Sequence, residues 1–524
     1  MGFTNDKEDG RVAHVEEGPL DEPVKSNELA KQAAQDEHQL TLAGALRKYP
    51  KAVMWSILLS TSIIMEGYDI VLMSSFFAQP AFSRRYGDYI ASSNSYQISA
   101  SWQNGLSNAV SVGTIIGAFA NGYFTHRLGY RKVLLASLVA ITGFIFIPFF
   151  APSLPVLLVG EFLCASEICP MALRGYLTVY VNLCWAIGQL ISAGVQSGFS
   201  GNDTQWGYRI PFAIQWAWPI PLFLILFFAP ESPWYFVRHG DYDSAEKSMV
   251  RLGYSSTSGE VKQALAMMIH TDELEKQIDQ GTSYWDCFRG IDRRRTEIVC
   301  LVFAAQPFCG SAKGGTPTYF FVQAGLPTSI SFKMSVGGLG LASVGTICSW
   351  YLLHTFGRRT LYLWGLALLT IVLMVVGFVS VGAGNSVSGN YAQATMMLIW
   401  LLVYYLTVGP ICYAIISETS STRLRSKSVC LSRITYYIAQ IICNVVNPYM
   451  LNPTAGDWKG KTGFFWAGWA LVFFIWTYFR LPETKGKTFE ELDILFARKI
   501  SARNFSKYRV DAYTEGDQAL TKKD

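Results

Sequence analysis

Runs of about twenty apolar residues recur along this chain, and a run of that length crosses the roughly 30 Å of bilayer hydrocarbon as an α-helix. No water inside a bilayer satisfies exposed backbone groups, so such runs must close their hydrogen bonds internally. Candidate spans fall at 52–78, 98–124, 133–151, 155–165, 173–195 and 210–230, then at 298–326, 331–353, 360–382, 394–416, 429–451 and 463–481. A polar stretch from Glu231 to Glu297 separates the two sets of six. Charged residues make up 15% of the chain, against about 25% in a soluble domain, which excludes a soluble globular protein. The expected architecture is therefore all-α and integral to the membrane. Its regions are a disordered cytosolic tail (1–50), a first helix bundle (51–230), a cytosolic central loop (231–297), a second bundle (298–481) and a cytosolic C-terminal tail (482–524).

The ten cysteines are scattered, mostly inside apolar segments, with no CxxC or Cys/His spacing, so no metal, disulfide framework or cofactor is expected. No nucleophile–base spacing points to an enzyme. The net charge of +5 calls for no nucleic-acid partner; the placement of the basic residues matters more. They gather in alternate connections: Arg127, Arg131 and Lys132; Arg174; the central stretch; Arg358 and Arg359; Arg423, Arg425 and Lys427; and the C-terminal tail. The positive-inside rule makes these connections and both termini cytosolic. The sequon Asn202-Asp203-Thr204 then falls on the outer face, where Asn202 is a glycosylation candidate, and Asn504-Phe505-Ser506 falls inside and stays bare.

The halves echo one another. "HRLGYRK" (126–132) matches "HTFGRRT" (354–360), and "SEICPMALR" (166–174) matches "SETSSTRLR" (417–425). Internal duplication of this kind marks secondary transporters, with a substrate site near the midplane between the repeats. The repeat also exposes a deficit. From Gly129 to Ser166 is 37 residues, from Gly357 to Ser417 is 60, so the fourth span is left short. Val156 to Ala165 covers only ~15 Å at helical rise, roughly a dozen residues too few for a comfortable crossing.

Glu66 and Asp69 lie three apart on one face of the first span. A carboxylate in hydrocarbon is costly and usually faces a cavity or a partner. One whose neighbours change between outward and inward states can load a proton on one side and release it on the other. The alternative is a packing pair satisfied by hydrogen bonds.

"PESPWYFVRHG" (230–240), "GIDRRRTEIVCL" (290–301), "ISETSSTRLRSKS" (416–428) and "LPETKGKTFEELDILF" (481–496) resemble the sugar porter family of the major facilitator superfamily. "MEGYDIVLMSSFFAQPAFSRRYG" (65–87) narrows the resemblance to the fungal alpha-glucoside, or maltose-type, proton symporters. The similarity runs from about residue 40 to 505. It implies the major facilitator fold, with six plus six helices and the fourth truncated. It also implies a multi-pass plasma-membrane permease, monomeric and needing no cofactor, that couples uptake of a small sugar such as maltose to proton entry.

The resemblance makes Asp69 the first candidate for proton coupling and Glu66 the second. Glu161 in span four is the third, its position facing Asp69 in doubt because its helix is short. Arg433 is a possible counter-charge, or a side chain reaching for the cytosolic interface. Relatives carry a complete fourth helix between the equivalents of Cys164 and Ala165. The alternatives here are a half-span buried against protein and a deletion, in the gene or through a mispredicted exon. Thr114 stands where the subgroup has a glutamate, and Lys313 where relatives are neutral. For sugar, Gln189, Gln306 and Tyr413 match family positions; Tyr436, Asn444 and Asn447 are further polar candidates, and Ala312 departs from the hexose pattern. Each could instead serve an interhelical hydrogen bond.

The family's cytosolic gate motif has His126 and His354 in its acidic places. Glu167 and Glu418 are left to bond Arg131 and Arg358 or Arg359, with Arg127, Arg174 and Arg425 completing the gate set. The alternatives to a coupled symporter are an uncoupled facilitator, suggested by Thr114 and the disrupted surroundings of Glu161, and a non-transporting sensor or inactive paralogue. Only 45 residues from Arg480 to Asp524 argue against a signalling tail.

Overall fold

The computed structural model describes residues 50–90, 95–167, 178–253, 258–280, 283–311, 317–383, 386–421, 424–487, 489–506 and 508. The expected tail 1–49 lies outside them, as do Arg174, Ala312, Lys313 and the side chains of His126 and Glu167.

The first set of helices is α1 (Pro50–Phe76), α2 (Pro80–Tyr86), α3 (Ala100–Leu128), α4 (Tyr130–Phe144), α5 (Phe146–Phe150), α6 (Leu154–Glu167), α7 (Thr178–Phe199), α8 (Trp206–Ile214) and α9 (Pro219–Phe228). Between α2 and α3 lies a small hairpin, β1 (Asp88–Ile90) antiparallel to β2 (Ser95–Gln97), with Tyr89 opposite Tyr96. Expected span six, written as continuous, is broken. A 3₁₀ turn at Gln215–Ala217 separates α8 from α9, with Pro211 before it and Pro219 after, where missing N–H groups interrupt the helical ladder.

The stretch expected as a central loop is helical: α10 (Pro233–Arg238), α11 (Tyr242–Leu252) and α12 (Ser258–Gln280). The described residues of Ser232–Gln277, with the start of α1 up to Val53, form one compact unit; those of Met54–Glu231 and from Ile278 onward form the other. In the smaller unit Val237, Ala245, Met249, Val261 and Leu265 make a core of their own. Asp241 starts α11 by accepting the Ser244 N–H at 3.1 Å, and the Ser244 hydrogen bonds hold its carboxyl below the ordinary range. Polar composition hid these helices, because their apolar faces are narrow.

The larger unit continues with α13 (Asp292–Gln306), α14 (Pro317–Gln323), α15 (Thr328–Thr355), α16 (Arg358–Gly382), α17 (Val387–Leu406), α18 (Val408–Thr419), α19 (Arg425–Leu451), α20 (Thr462–Arg480) and α21 (Phe489–Ala497). Among the described residues seven helices are long and apolar enough to cross a membrane; Leu154–Ser166 is a shorter apolar one. That is consistent with the expected six plus six. The residues after 481 are not all a free tail. Arg294 donates to the Ile500 carbonyl at 2.7 Å and lies over the rings of Phe496 and Phe505, both fully buried.

Helices of the first set approach backbone to backbone. A Cβ on Gly67 of α1 would sit 2.5 Å from the Trp185 carbonyl oxygen of α7. Parallel α3 and α6 are matched level by level: Gly105 opposite Leu158, Gly113 opposite Phe162, Gly117 opposite Ser166. From Gly117, opposite Ser166, α3 runs on a further eleven residues, about 16 Å, to Leu128. The described turns of α6 are thus matched to α3 from Gly105 to Gly117, and residues 168–177 lie outside those described.

Candidate functional site

The two sets of helices meet along α3 against α19 and α7 against α15. At the hairpin end they are bridged by hydrogen bonds: Asn452 to the Ile98 carbonyl (2.8 Å), Gln103 to the Tyr319 hydroxyl (3.2 Å) and Gln323 to Gln97 (3.3 Å). Below this lid lies a cavity of about 290 Å³.

One wall carries charge. Glu66 and Asp69 of α1 line it, and Asp69, 7% exposed, accepts from Gln215 Nε2 at 2.6 Å. Gln215 is delivered by the break between α8 and α9. That break is tied down on both sides, by the Tyr68 hydroxyl on the Pro211 carbonyl (2.8 Å) and by Trp216 Nε1 on the Thr142 carbonyl (3.0 Å). Glu161 is 2% exposed, Asp69 is the charged neighbour that acts on it, and its Oε2 has no partner. The short α6 thus brings Glu161 beside Asp69 and puts Ala165, four residues on, at the cavity wall. Thr114 also lines the cavity, its hydroxyl turned back to the Val110 carbonyl at 2.9 Å.

The opposite wall is aromatic and amide. Arg433 does not reach toward the interface; it lines the cavity, its guanidinium 5.2 Å from the Phe303 ring and 5.7 Å from the Tyr413 ring, within electrostatic range of Glu66. Tyr413 and Tyr436 pack edge-on to Phe303 at 5.5 and 5.3 Å. Gln189 and Gln306 line the cavity from α7 and α13. Asn444 lines it too and donates to Ser111 Oγ of α3 at 3.3 Å. Asn447 is buried one turn further along α19. The sequence reading missed Gln215, Tyr404, Tyr405, Trp185 and Trp400. A lone amide between two prolines, and paired tyrosines just before "GP" in an apolar run, were the available signals.

At the basic end the second repeat makes the expected contact of Glu418 with an arginine, and the first does not mirror it with Arg131. Arg358 makes the carboxylate contact, with Nε and Nη2 on Glu418 at 3.0 and 2.9 Å, and Thr484 adds a bond to the same carboxylate at 2.6 Å. Arg131 instead donates to the carbonyls of Leu226, at 3.3 Å, and Phe227. Arg359, its counterpart in the repeat, likewise donates to the Tyr478 carbonyl at 2.9 Å. Two unforeseen glutamates cap helix starts. Glu231 accepts the Arg131 backbone N–H at 3.1 Å, and Glu483 that of Arg358 at 2.8 Å. Arg127 is exposed over the Tyr123 ring, and Arg425 opens α19. At the hairpin end Asn202 Oδ1 accepts from Thr204 in a tight local turn, and the adjacent Asp203 pairs with Arg84 at 3.4 Å.

A cavity at the meeting of two helix sets, with buried carboxylates on one side and rings and amides on the other, defines a multi-pass membrane transporter. The major facilitator superfamily proton:xylose symporter XylE bound to 6-bromo-6-deoxy-D-glucose shares this fold with a TM-score of 0.65 at 17% identity, over 86% of this chain and 100% of that one. The inward-open xylose transporter XylE from E. coli gives 0.63 at 19%, over 84% and 99%. Residues 55–496 match the family described as sugar (and other) transporter, and the chain belongs to it. Its relatives include the alpha-glucosides permease MPH3 of Saccharomyces cerevisiae, 39% identical over 97% of this chain and 89% of that protein. The maltose permease MAL31 of the same yeast is 37% identical over 98% and 88%. These are transporters, not enzymes.

Proposed function

We propose that this chain carries alpha-glucosides such as maltose inward across the plasma membrane, coupled to proton entry, as a monomer that alternates access between its two helix sets. The observation that carries this reading is the charge layout at the cavity: Glu66 and Asp69 line it, Glu161 is buried behind them within electrostatic range of Asp69, and Arg433 lines the facing wall. All three ionised at once would leave uncompensated negative charge in a medium that penalises it. A proton carried in from outside relieves that excess, and its release to the cytosol restores it.

Each residue has a role under this reading. Asp69, held by Gln215, and Glu161, with a free oxygen beside it, are the pair across which the proton moves. Glu66 answers Arg433 across the seam and senses its movement. Gln189, Gln306 and Asn444 bond sugar hydroxyls, while Tyr413 and Tyr436 offer flat faces to the apolar side of a pyranose. Arg358 with Glu418, and the carbonyl contacts of Arg131 and Arg359, hold the cytosolic end closed while the outer end is open. The names of the yeast relatives support the substrate class.

The test is reconstitution in liposomes with labelled maltose and an imposed pH gradient. Accumulation that a protonophore collapses and Asp69→Asn abolishes is the expected result. Uptake indifferent to both would sink the coupling. A second reading, an uncoupled facilitator, is favoured by one observation, Thr114 at the cavity wall with its hydroxyl turned back to the Val110 carbonyl. Maltose counterflow without pH dependence would identify it, and a protein showing neither uptake nor counterflow would be an inactive paralogue.

A further inference from the structure

Two adjacent tyrosines treat the two cavity glutamines in the same way. The Tyr404 hydroxyl donates to Gln306 Oε1 at 2.8 Å, and the Tyr405 hydroxyl donates to Gln189 Oε1 at 2.9 Å. Consecutive helical residues point in different directions, so one pair serves both sides of the seam. Tyr404 reaches α13 within its own helix set, and Tyr405 reaches across to α7. The pair is held firmly. Trp400 stacks on Tyr404 at 5.1 Å and 11°, and Tyr405 packs edge-on to Tyr404 at 5.3 Å. Two residues later the helix breaks at Thr407, with φ −126° and ψ −85°, which ends α17 just beyond the tyrosines.

An amide with its oxygen engaged has only N–H groups left to offer. Gln306 has already directed its nitrogen toward Cys412 Sγ at 2.8 Å. Gln189 has not, and its amide lines the cavity. Resting on the sugar-permease reading above, we propose that Tyr405 is a specificity-determining positioning residue: it caps the Gln189 oxygen so that this amide meets the sugar solely as a hydrogen-bond donor. A donor-only group donates to the ring or bridging oxygen of a glycoside, which has no hydrogen to give, as readily as to a hydroxyl oxygen. An amide free to turn its oxygen inward would repel those ether oxygens.

The experiment measures maltose binding to the purified full chain by calorimetry, then a panel of maltose analogues in which single hydroxyls are replaced by hydrogen or by fluorine. Fluorine accepts weakly and cannot donate. Wild type should show one position where the fluoro analogue binds well and the deoxy analogue about 10-fold worse. Tyr405→Phe keeps the ring and loses the hydroxyl; it should weaken maltose about 10-fold and close that gap. Gln189→Glu keeps an acceptor for Tyr405 but cannot donate, and should close the gap too. A Tyr405→Phe protein with unchanged affinity and an unchanged gap would overturn the proposal, as would loss of all binding to every analogue, which would make Tyr405 a sugar contact itself. A wild-type chain that binds no maltose would instead reject the permease reading on which this rests. Matching melting temperatures for wild type and both variants exclude misfolding as the cause.

Discussion

The fourth crossing of each repeat shows how unevenly two copies of one plan can be kept. In the second repeat it runs Val387–Thr419, 33 residues with a kink, and delivers Glu418 to Arg358. In the first it is α6, 14 residues long. The half that remains is the half that holds Glu161 beside Asp69. The residues that lead on to the basic loop, 168–177, lie outside those described. The arginine positions are uneven as well. Arg131 and Arg359 are true counterparts and both seek carbonyls, but the place of Arg358 is taken by Tyr130. The lesson is that the deficit separates two jobs of one helix. Under the proposed function, proton chemistry belongs to the turns of α6 that hold Glu161, and gate closure to the cytosolic end.

The strongest test of that separation compares Asp69→Asn with Tyr413→Ala. The first should cut gradient-driven accumulation by on the order of 100-fold while leaving counterflow intact, since it removes a charge and little binding surface. The second should depress both. Equal damage to both assays by Asp69→Asn would show that the carboxylates also hold the sugar.

A gain is expected next. Inserting eleven helix-forming residues, about three turns, after Cys164 should raise uptake and protein level several-fold by completing the span. No change in either would mean that the short helix is sufficient.

The gate asymmetry predicts a graded loss. Glu418→Ala leaves a half-buried guanidinium unpaired and should cost about 2 kcal/mol, seen as a lower melting temperature in detergent. Arg131→Ala and Arg359→Ala, which lose carbonyl contacts only, should cost about 1 kcal/mol each and match one another. Unequal effects of those two would break the repeat correspondence.

Packing gives a paired test that ends in the smallest effect of all. Gly67→Ala places a methyl 2.5 Å from the Trp185 carbonyl and should destabilise by about 2 kcal/mol. Gly340→Ala in α15 meets nothing within 4 Å and should be neutral or stabilise by a few tenths of a kcal/mol. Thermal melts of the two variants side by side decide it.

Much of this was legible in the residues alone. Apolar run length located most of the long helices to within a few residues, because a bilayer sets the length of any helix that crosses it; the run at 298–326 is instead broken after Gln306, and the run at 394–416 starts earlier, at Val387. Charge in an apolar run flagged Glu66, Asp69 and Glu161, because hydrocarbon makes such groups expensive to keep. The repeat flagged the short fourth span. The partners of these groups were not legible. Gln215 reaches Asp69 only because two prolines interrupt a helix 146 residues away in sequence. Tyr405 reaches Gln189 only because α17 and α7 face one another across the seam. The central stretch looked like a loop because its helices bury narrow faces against each other rather than in lipid.

By itself, the sequence determined that this chain lives in a membrane, that it is built twice over, and which side chains are too costly to be there without purpose. The tertiary structure decided which amide holds which carboxylate, which arginine finds an acid, and which tyrosine caps which glutamine. The physical reason is one of range. Bilayer thickness and helix rise act along the chain and can be read from it, whereas hydrogen bonds act over about 3 Å and are made between residues that only folding brings together.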